Sequence, residues 1–178
     1  MVACAAGSRE AFASLIERYL PRTTSYCARV TGDHRAAEEL AQDVLLAIWR
    51  TRAGYRPERP FRVLLFTIAR NRCRNHARSW RRSLRWLGIA TEPDRLADLP
   101  ARDTSQLDEL LAVERQREVR AALGQLSTRD REVVLLRFEQ DLSYAEIAVV
   151  TGRAEATVRG RVFHALRKLQ LTLAGDAA

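Results

Sequence analysis

Arg153, Arg159, Arg161, Arg167 and Lys168 crowd the stretch GRAEATVRGRVFHALRKL near the end of the chain, and Arg70, Arg72, Arg74, Arg78, Arg81, Arg82 and Arg85 crowd IARNRCRNHARSWRRSLRW near its middle. A guanidinium keeps its proton at neutral pH and offers five donors in a flat fork, so it is poorly suited to proton transfer and well suited to holding phosphates and guanine edges. The two clusters therefore point to polyanion recognition. Side chains for bond-making do not gather in the same way. The chain has no Gly-rich phosphate loop, no Ser–His–Asp arrangement and no carboxylate cluster suited to a metal. No catalytic residue, resident metal or cofactor is expected. Cys73 and His76 have helical spacing compatible with zinc but lack two further ligands. Cys4, Cys27 and Cys73 form no CxxC pair, and an odd set of this kind fits a reducing compartment.

These side chains must be carried by helices, because no convincing period-two run occurs. In LSYAEIAVVTGRAEATVRGRVFHALRKL, Ser143 and Glu146 form a capping box, Gly152 supplies a turn, and a final helix follows from about Ala154 to Leu173. Ile147, Ala148 and Val150 face inward from the first helix, and Val158, Val162, Leu166 and Leu169 from the second. Arg153, Glu155, Thr157, Arg159 and His164 are left nearer the outside, a helix-turn-helix that can place side chains in a major groove. The competing reading is a helical hairpin with a solvated arginine face. Upstream, ALGQL ends a helix near Gly124, and Ser127 with Asp130 caps the next.

The first half reads as four helical segments. Phe12, Leu15, Ile16, Tyr19 and Leu20 share one face; Pro21 is expected to interrupt that helix, and Gly32 to end the following segment. Asp33 caps the next helix, with Ala37, Leu40, Ala41, Val44, Leu45 and Ile48 on one stripe and Glu38, Glu39, Gln42 and Asp43 on the other. AGYRPERP is a loop. A long basic helix then runs from Phe61 to about Leu87, with Phe61, Leu64, Leu65, Ile68 and Ala69 inward and the arginines outside that stripe.

Charge follows this order. The formal net charge of +8 divides into +10 over residues 1–90, −4 over 91–118 and +2 over 119–178. A basic half, an acidic linker and a second module are expected, although an arginine-preferring genome would also enrich the residue. Nothing is apolar for long enough to span a membrane. The MVAC start lacks the basic and apolar segments of a secretion signal.

AFASLIERYLPRTTSYCARVTGDHRAAEELAQDVLLAIWR, followed by Y-x-P-x-x-P-F-x-x-x-L-x-x-IARN and ARSWRR, resembles domain 2 of the extracytoplasmic-function (ECF) sigma factors of bacterial RNA polymerase. ALGQLSTRDREVVLLRFEQDLSYAEIAVVTG with ATVRGRVFHALRKL resembles their domain 4. The resemblance implies an all-α chain of two small helical domains: domain 2 over 1–90, a flexible acidic linker over 91–111, and domain 4 over 112–178. It implies a non-enzymatic promoter-specificity factor acting in the cytoplasm. Its partners would be core RNA polymerase and promoter DNA, with an anti-sigma factor as a further candidate and no membrane insertion.

The same resemblance gives residue roles. Glu38, Glu39, Gln42 and Asp43 would dock on the polymerase clamp. Tyr55, Arg56 and Arg59 would hold a flipped base of the −10 strand. Asn71, Arg74, Arg78, Arg81 and Arg82, together with Arg70, would line the duplex and the displaced strand. Arg153, Glu155, Thr157, Arg159, Gly160, Phe163 and His164 would meet the −35 duplex. Trp80 either stacks on a base or packs beside a guanidinium. Leu64, Ala154, Ala156 and His164 depart from the family's usual residues, which bears on −35 preference and not on the fold. Two other readings stay open: a stand-alone helix-turn-helix regulator, and a DNA recombinase using Tyr55 among Arg52, Arg56 and Arg59.

Overall fold

The computed structural model describes residues 1–86 and 117–175, and among these every regular element is helical. The elements are α1 (Val2–Ala5), α2 (Arg9–Thr31), α3 (His34–Thr51), a 3-10 turn (Arg52–Gly54), α4 (Phe61–Trp86), the helical residues 117–124 (α5), α6 (Thr128–Phe138), α7 (Tyr144–Thr151) and α8 (Glu155–Gly175). The expected linker over 91–111 lies outside the described residues.

Caps set the boundaries. Ser8 Oγ accepts from the Ala11 amide to start α2, and Gly32 ends it at φ 74°, a left-handed conformation costly for a residue with a Cβ. Asp33 Oδ1 then accepts from the Arg35 and Ala36 amides, each at 3.0 Å, so α3 begins at once and folds back along α2. Ser143 and Glu146 close the capping box of α7, and Gly152 at φ 65° turns the chain into α8.

One expectation fails here. α2 does not break at Pro21 but runs through it. The missing N–H leaves one rung of the ladder unmade. The cost is offset by burial along both flanks, where Tyr19, Tyr26, Cys27 and Val30 enter the core. The carbonyl left without its helical partner is that of Glu17, which lies on an exposed turn of the helix and is open to water.

α2, α3 and α4 bury Tyr26, Val44, Ile48, Leu65, Phe66 and Cys73 against one another, with edge-on ring contacts between Tyr26 and Phe66 and between Tyr19 and Phe61. The stripe Ala37, Leu40, Ala41, Val44, Leu45 and Ile48 is buried throughout. α5 to α8 enclose a second set that includes Leu126, Leu136, Leu142, Ile147, Val158 and Val162. The two sets are continuous: α7 lies on α4 and α6 lies against α2.

Because α2 is continuous, Pro21→Ala should restore the absent rung and raise stability by about 2–3 kcal/mol. A higher denaturant midpoint at unchanged slope is the expected result. A lower midpoint would mean the proline suits a local bend.

Candidate nucleic-acid interface

The final helix is oriented by what it buries. Val158, Val162 and Ala165 are fully enclosed against α6 and α7, and Leu166 and Leu169 pack at the edge of the same core. Arg153, Glu155, Thr157, Arg159, Phe163 and His164 are consequently exposed, and Gly160 is half-buried with open space where a Cβ would stand. Six of the seven residues expected to meet the duplex are thus exposed, with Glu155 and Arg159 on the side of Tyr144 and Thr157, Gly160 and His164 on the side of Asp130 and Arg161. The Arg159 guanidinium donates to Glu155 Oε1 at 2.7 Å and stands 4.9 Å from the centre of the Tyr144 ring. Arg137 flanks the same ring at 5.2 Å. Glu155 is thereby the partner that aims Arg159, one turn earlier on the same helix. Arg161 turns the other way. Its Nη1 donates to Asp130 Oδ1 at 2.9 Å, which ties α8 to the start of α6.

α4 presents a second cationic face. Asn71, Arg74, Arg78, Arg81 and Arg82 are all exposed, and at helical rise the row is roughly 16 Å long, the reach of about five phosphates along one strand. Arg70 crowds the Arg74 guanidinium and, with burial and then Arg78 and Arg129, pulls its pKa below the usual arginine value, against the pull of Glu132. A polyanion laid on this face would relieve that repulsion. Trp80 is 59% exposed but lies on the other side of α4, roughly 150° around the helix from that row and in line with buried Cys73.

Arg70 departs from expectation. It is buried, and its Nε donates to Glu132 Oε2 at 3.1 Å, so it cannot line a strand in this conformation. The helix period places it just off the apolar stripe, and a second helix bundle covers that position.

The loop before α4 is closed by its own polar groups. The Tyr55 hydroxyl donates to the Arg59 carbonyl at 3.1 Å, and the Arg59 amide to the Arg56 carbonyl at 3.3 Å, which holds Tyr55, Arg56 and Arg59 together. Tyr55 is half-buried and both arginines are exposed. Arg52 is fastened instead, 3.9 Å from the Trp49 ring centre and donating to the Trp49 carbonyl.

On α3, Glu38, Glu39, Gln42 and Asp43 are exposed, and none forms an ion pair with a described residue. Leu46, unnoticed in the sequence, continues the Glu38–Gln42 row at 46% exposure. An unpaired acidic face ending in an exposed leucine has the make-up of a protein-docking surface. Cys73 is buried beside Cys27, where that neighbour and burial push its thiol pKa up, while His76 lies 3.5 Å from Asp33. Among the described residues no group of three or more potential ligands could hold a metal.

Sequence reasoning missed Arg131 and Glu132, which are both buried. A signal was present. Val133, Val134, Leu135 and Leu136 follow one another, and four consecutive apolar residues face every side of a helix, so α6 must be covered all round.

Residues 15–83 match the family model described as Sigma-70 region 2, and residues 116–169 the one described as Sigma-70, region 4. The ECF RNA polymerase sigma factor SigL of Mycobacterium tuberculosis is 36% identical over 154 residues, covering 83% of this chain and 80% of that protein. The RNA polymerase sigma factor CnrH of Cupriavidus metallidurans is 31% identical over 180 residues, covering 97% and 92%. Among solved structures, the sigma factor RpoE in complex with the anti-sigma factor NepR from Bartonella quintana has a TM-score of 0.75 at 28% identity, covering 93% of this chain and 98% of that one. CnrH in complex with the cytosolic domain of CnrY has a TM-score of 0.69 at 27% identity, covering 98% and 94%.

The geometry separates Arg159 from Arg161. Arg159→Ala should weaken binding to duplexes selected by the wild-type chain from a random pool by roughly 1–3 kcal/mol, with discrimination lost and stability intact. Arg161→Ala should instead cost about 1–3 kcal/mol of stability, since Asp130 loses its partner in a half-buried site. Binding titrations and denaturant unfolding on both variants decide; the reverse pattern would reverse the face assigned to α8.

Proposed function

The chain belongs to the ECF sigma factors of bacterial RNA polymerase, and we propose from this how its surfaces divide the work of initiation. As an alternative sigma factor it binds core RNA polymerase and promoter DNA and is not itself an enzyme. The assignment of surfaces rests on one observation: the unpaired acidic face of α3 is segregated from the arginine faces of α4 and α8. Polymerase docking and DNA binding need opposite charge, and here they have separate helices.

In this reading Glu38, Glu39, Gln42 and Asp43, with Leu46 beside them, dock on the polymerase clamp. Asn71, Arg74, Arg78, Arg81 and Arg82 track phosphates at the −10 element, where positioning contacts go mainly to the backbone. Tyr55 offers its ring to an extruded base, and Arg56 and Arg59 hold the adjoining phosphates. Strand separation then draws on binding energy alone. Arg153, Glu155, Thr157, Arg159, Gly160, Phe163 and His164 meet the −35 duplex. Domain 2 would span 1–90 and domain 4 112–178, joined by 91–111.

An anti-sigma factor is a further proposed partner, supported by the two similar sigma factors solved with theirs. No helix among the described residues is long and apolar enough to cross a membrane. Work on DNA with the polymerase supports a cytoplasmic location.

Two measurements test the surfaces. Glu39→Arg with Asp43→Arg should weaken core-polymerase binding at least about tenfold, a loss of 1.4 kcal/mol or more, with helicity unchanged. Unaltered affinity would remove α3 from the interface. Tyr55→Ala should reduce permanganate reactivity of the melted strand at a promoter the holoenzyme transcribes, by roughly the tenfold or more that a stacked base is worth, while −35 duplex binding stays the same. Normal reactivity would make the loop a connector.

A further inference from the structure

Between α3 and α4 the chain is exposed at nearly every position. Of residues 51–60 only Arg52 and Tyr55 are half-buried. Tyr55 is the residue proposed above to meet an extruded base, and Arg52 lies one short turn before it. The stretch is stiff within itself. The Tyr55 hydroxyl donates to the Arg59 carbonyl, the Arg59 amide donates to the Arg56 carbonyl, and Pro57 and Pro60 each fix a backbone angle. A stiff loop is aimed by its two ends. The downstream end is held where Phe61 meets the Tyr19 ring edge-on at 5.1 Å. The upstream end is the 3-10 turn, joined to the loop by the Tyr55 amide, which donates to the Arg52 carbonyl at 3.1 Å.

Arg52 is what fastens that turn. Thr51 makes no side-chain cap to it, Ala53 and Gly54 are exposed, and a Cβ at Gly54 would meet nothing within 4 Å. The Arg52 side chain folds back onto the protein, whereas Arg56 and Arg59 stay exposed. Its guanidinium lies 3.9 Å from the centre of the Trp49 ring, a favourable place for a cation. Its Nη1 also donates to the Trp49 carbonyl at 2.7 Å, and its own backbone amide donates to that same carbonyl. Both donors thereby serve the last turn of α3, where carbonyls lack helical partners and the dipole favours a cation.

The support continues outward from Trp49. Phe12 of α2 holds that ring, with centres 4.8 Å apart. α1 packs on α2 and on the 3-10 turn, with Cys4 fully buried. A helix of four residues does not persist by itself, so α1 exists through these contacts. Three helices therefore converge on one turn, and the turn leads directly to Tyr55.

We propose that Arg52 is a positioning residue for base capture: stacked on Trp49 and braced by α1, it fixes the direction in which the loop presents the Tyr55 ring. Arg52 itself touches no base. A ring that receives an extruded base must be aimed to a fraction of an ångström, and a loop exposed on all other sides has no second means of holding that aim. The inference rests on the reading of Tyr55 given above.

The test uses the full chain and the holoenzyme it forms with core polymerase. Hydrogen exchange at the Tyr55 amide, read by NMR on the free chain, reports the 3-10 turn without DNA. Arg52→Ala should speed that exchange roughly two- to fivefold, and Trp49→Leu should do the same. The double variant should fall well short of the product of the two effects, because the side chains act as one unit. In the holoenzyme, Arg52→Ala should lower permanganate reactivity of the melted −10 strand by a similar factor, with core-polymerase affinity and −35 duplex binding as in wild type. Unchanged Tyr55 exchange would overturn the hold of Arg52 on the turn, and fully multiplicative effects would overturn its action through Trp49. Faster exchange with normal melting, beside a Tyr55→Ala chain that melts poorly, would overturn the positioning role. Normal melting by Tyr55→Ala would bring down the reading of the loop itself and the positioning role with it, an outcome distinct from the others because Tyr55 exchange would still respond to Arg52.

Discussion

A buried guanidinium must place its donors, and at Arg131 that requirement organises the molecule. Three carbonyls at the α5–α6 turn and two at the end of α2 converge on one flat fork. Both are places where a helix has run out of N–H partners for its carbonyls. One side chain thus caps the connection that starts the C-terminal bundle and ties that bundle to the other half. Lysine could not do the same, having three donors at a point and no planar spread.

Around this hub the remaining polar interactions serve to fix directions. Ser127 and Ser143 start α6 and α7, Gly152 turns the chain, and Asp130 holds Arg161. With those in place α8 has one orientation, and Arg159 is left outward between Glu155 and Tyr144. The N-terminal half works by the same logic with fewer polar ties. Its three long helices bury a shared stripe, so the acidic side of α3 and the arginine side of α4 face solvent by default.

The burial of Glu132 shows what the contact between the two halves costs. Desolvation pushes its carboxyl above the usual range, although Arg70 and then Arg74 and Arg129 draw it back. Burial likewise pushes up the nearby Tyr26 hydroxyl, with Glu132 adding to the effect and Arg70 opposing it. The Arg70–Glu132 pair therefore adds little net stability, because the cost of taking both charges out of water offsets their attraction.

Much of the site was legible in the sequence because it depends on local rules. Helical period alone separates Ala37, Leu40, Val44 and Ile48 from Glu38, Glu39, Gln42 and Asp43. Capping chemistry at Asp33, Ser127, Ser143 and Gly152 marks where helices start and turn, and Val158 and Val162 decide which side of α8 looks outward. The family itself was carried by the order of two motif blocks. Other features depend on which helix covers which, and no period encodes that. Pro21 stays inside α2 because burial on both flanks outweighs one missing hydrogen bond. Arg70, one position off the apolar stripe, looks exposed until α6 is laid over it. Arg131 and Glu132 look like ordinary surface charge until α2 and α4 close on them. A side chain's face is set by its neighbours along the chain, but its burial and its partner are set by residues 62 to more than 100 positions away, and only the tertiary structure brings those together.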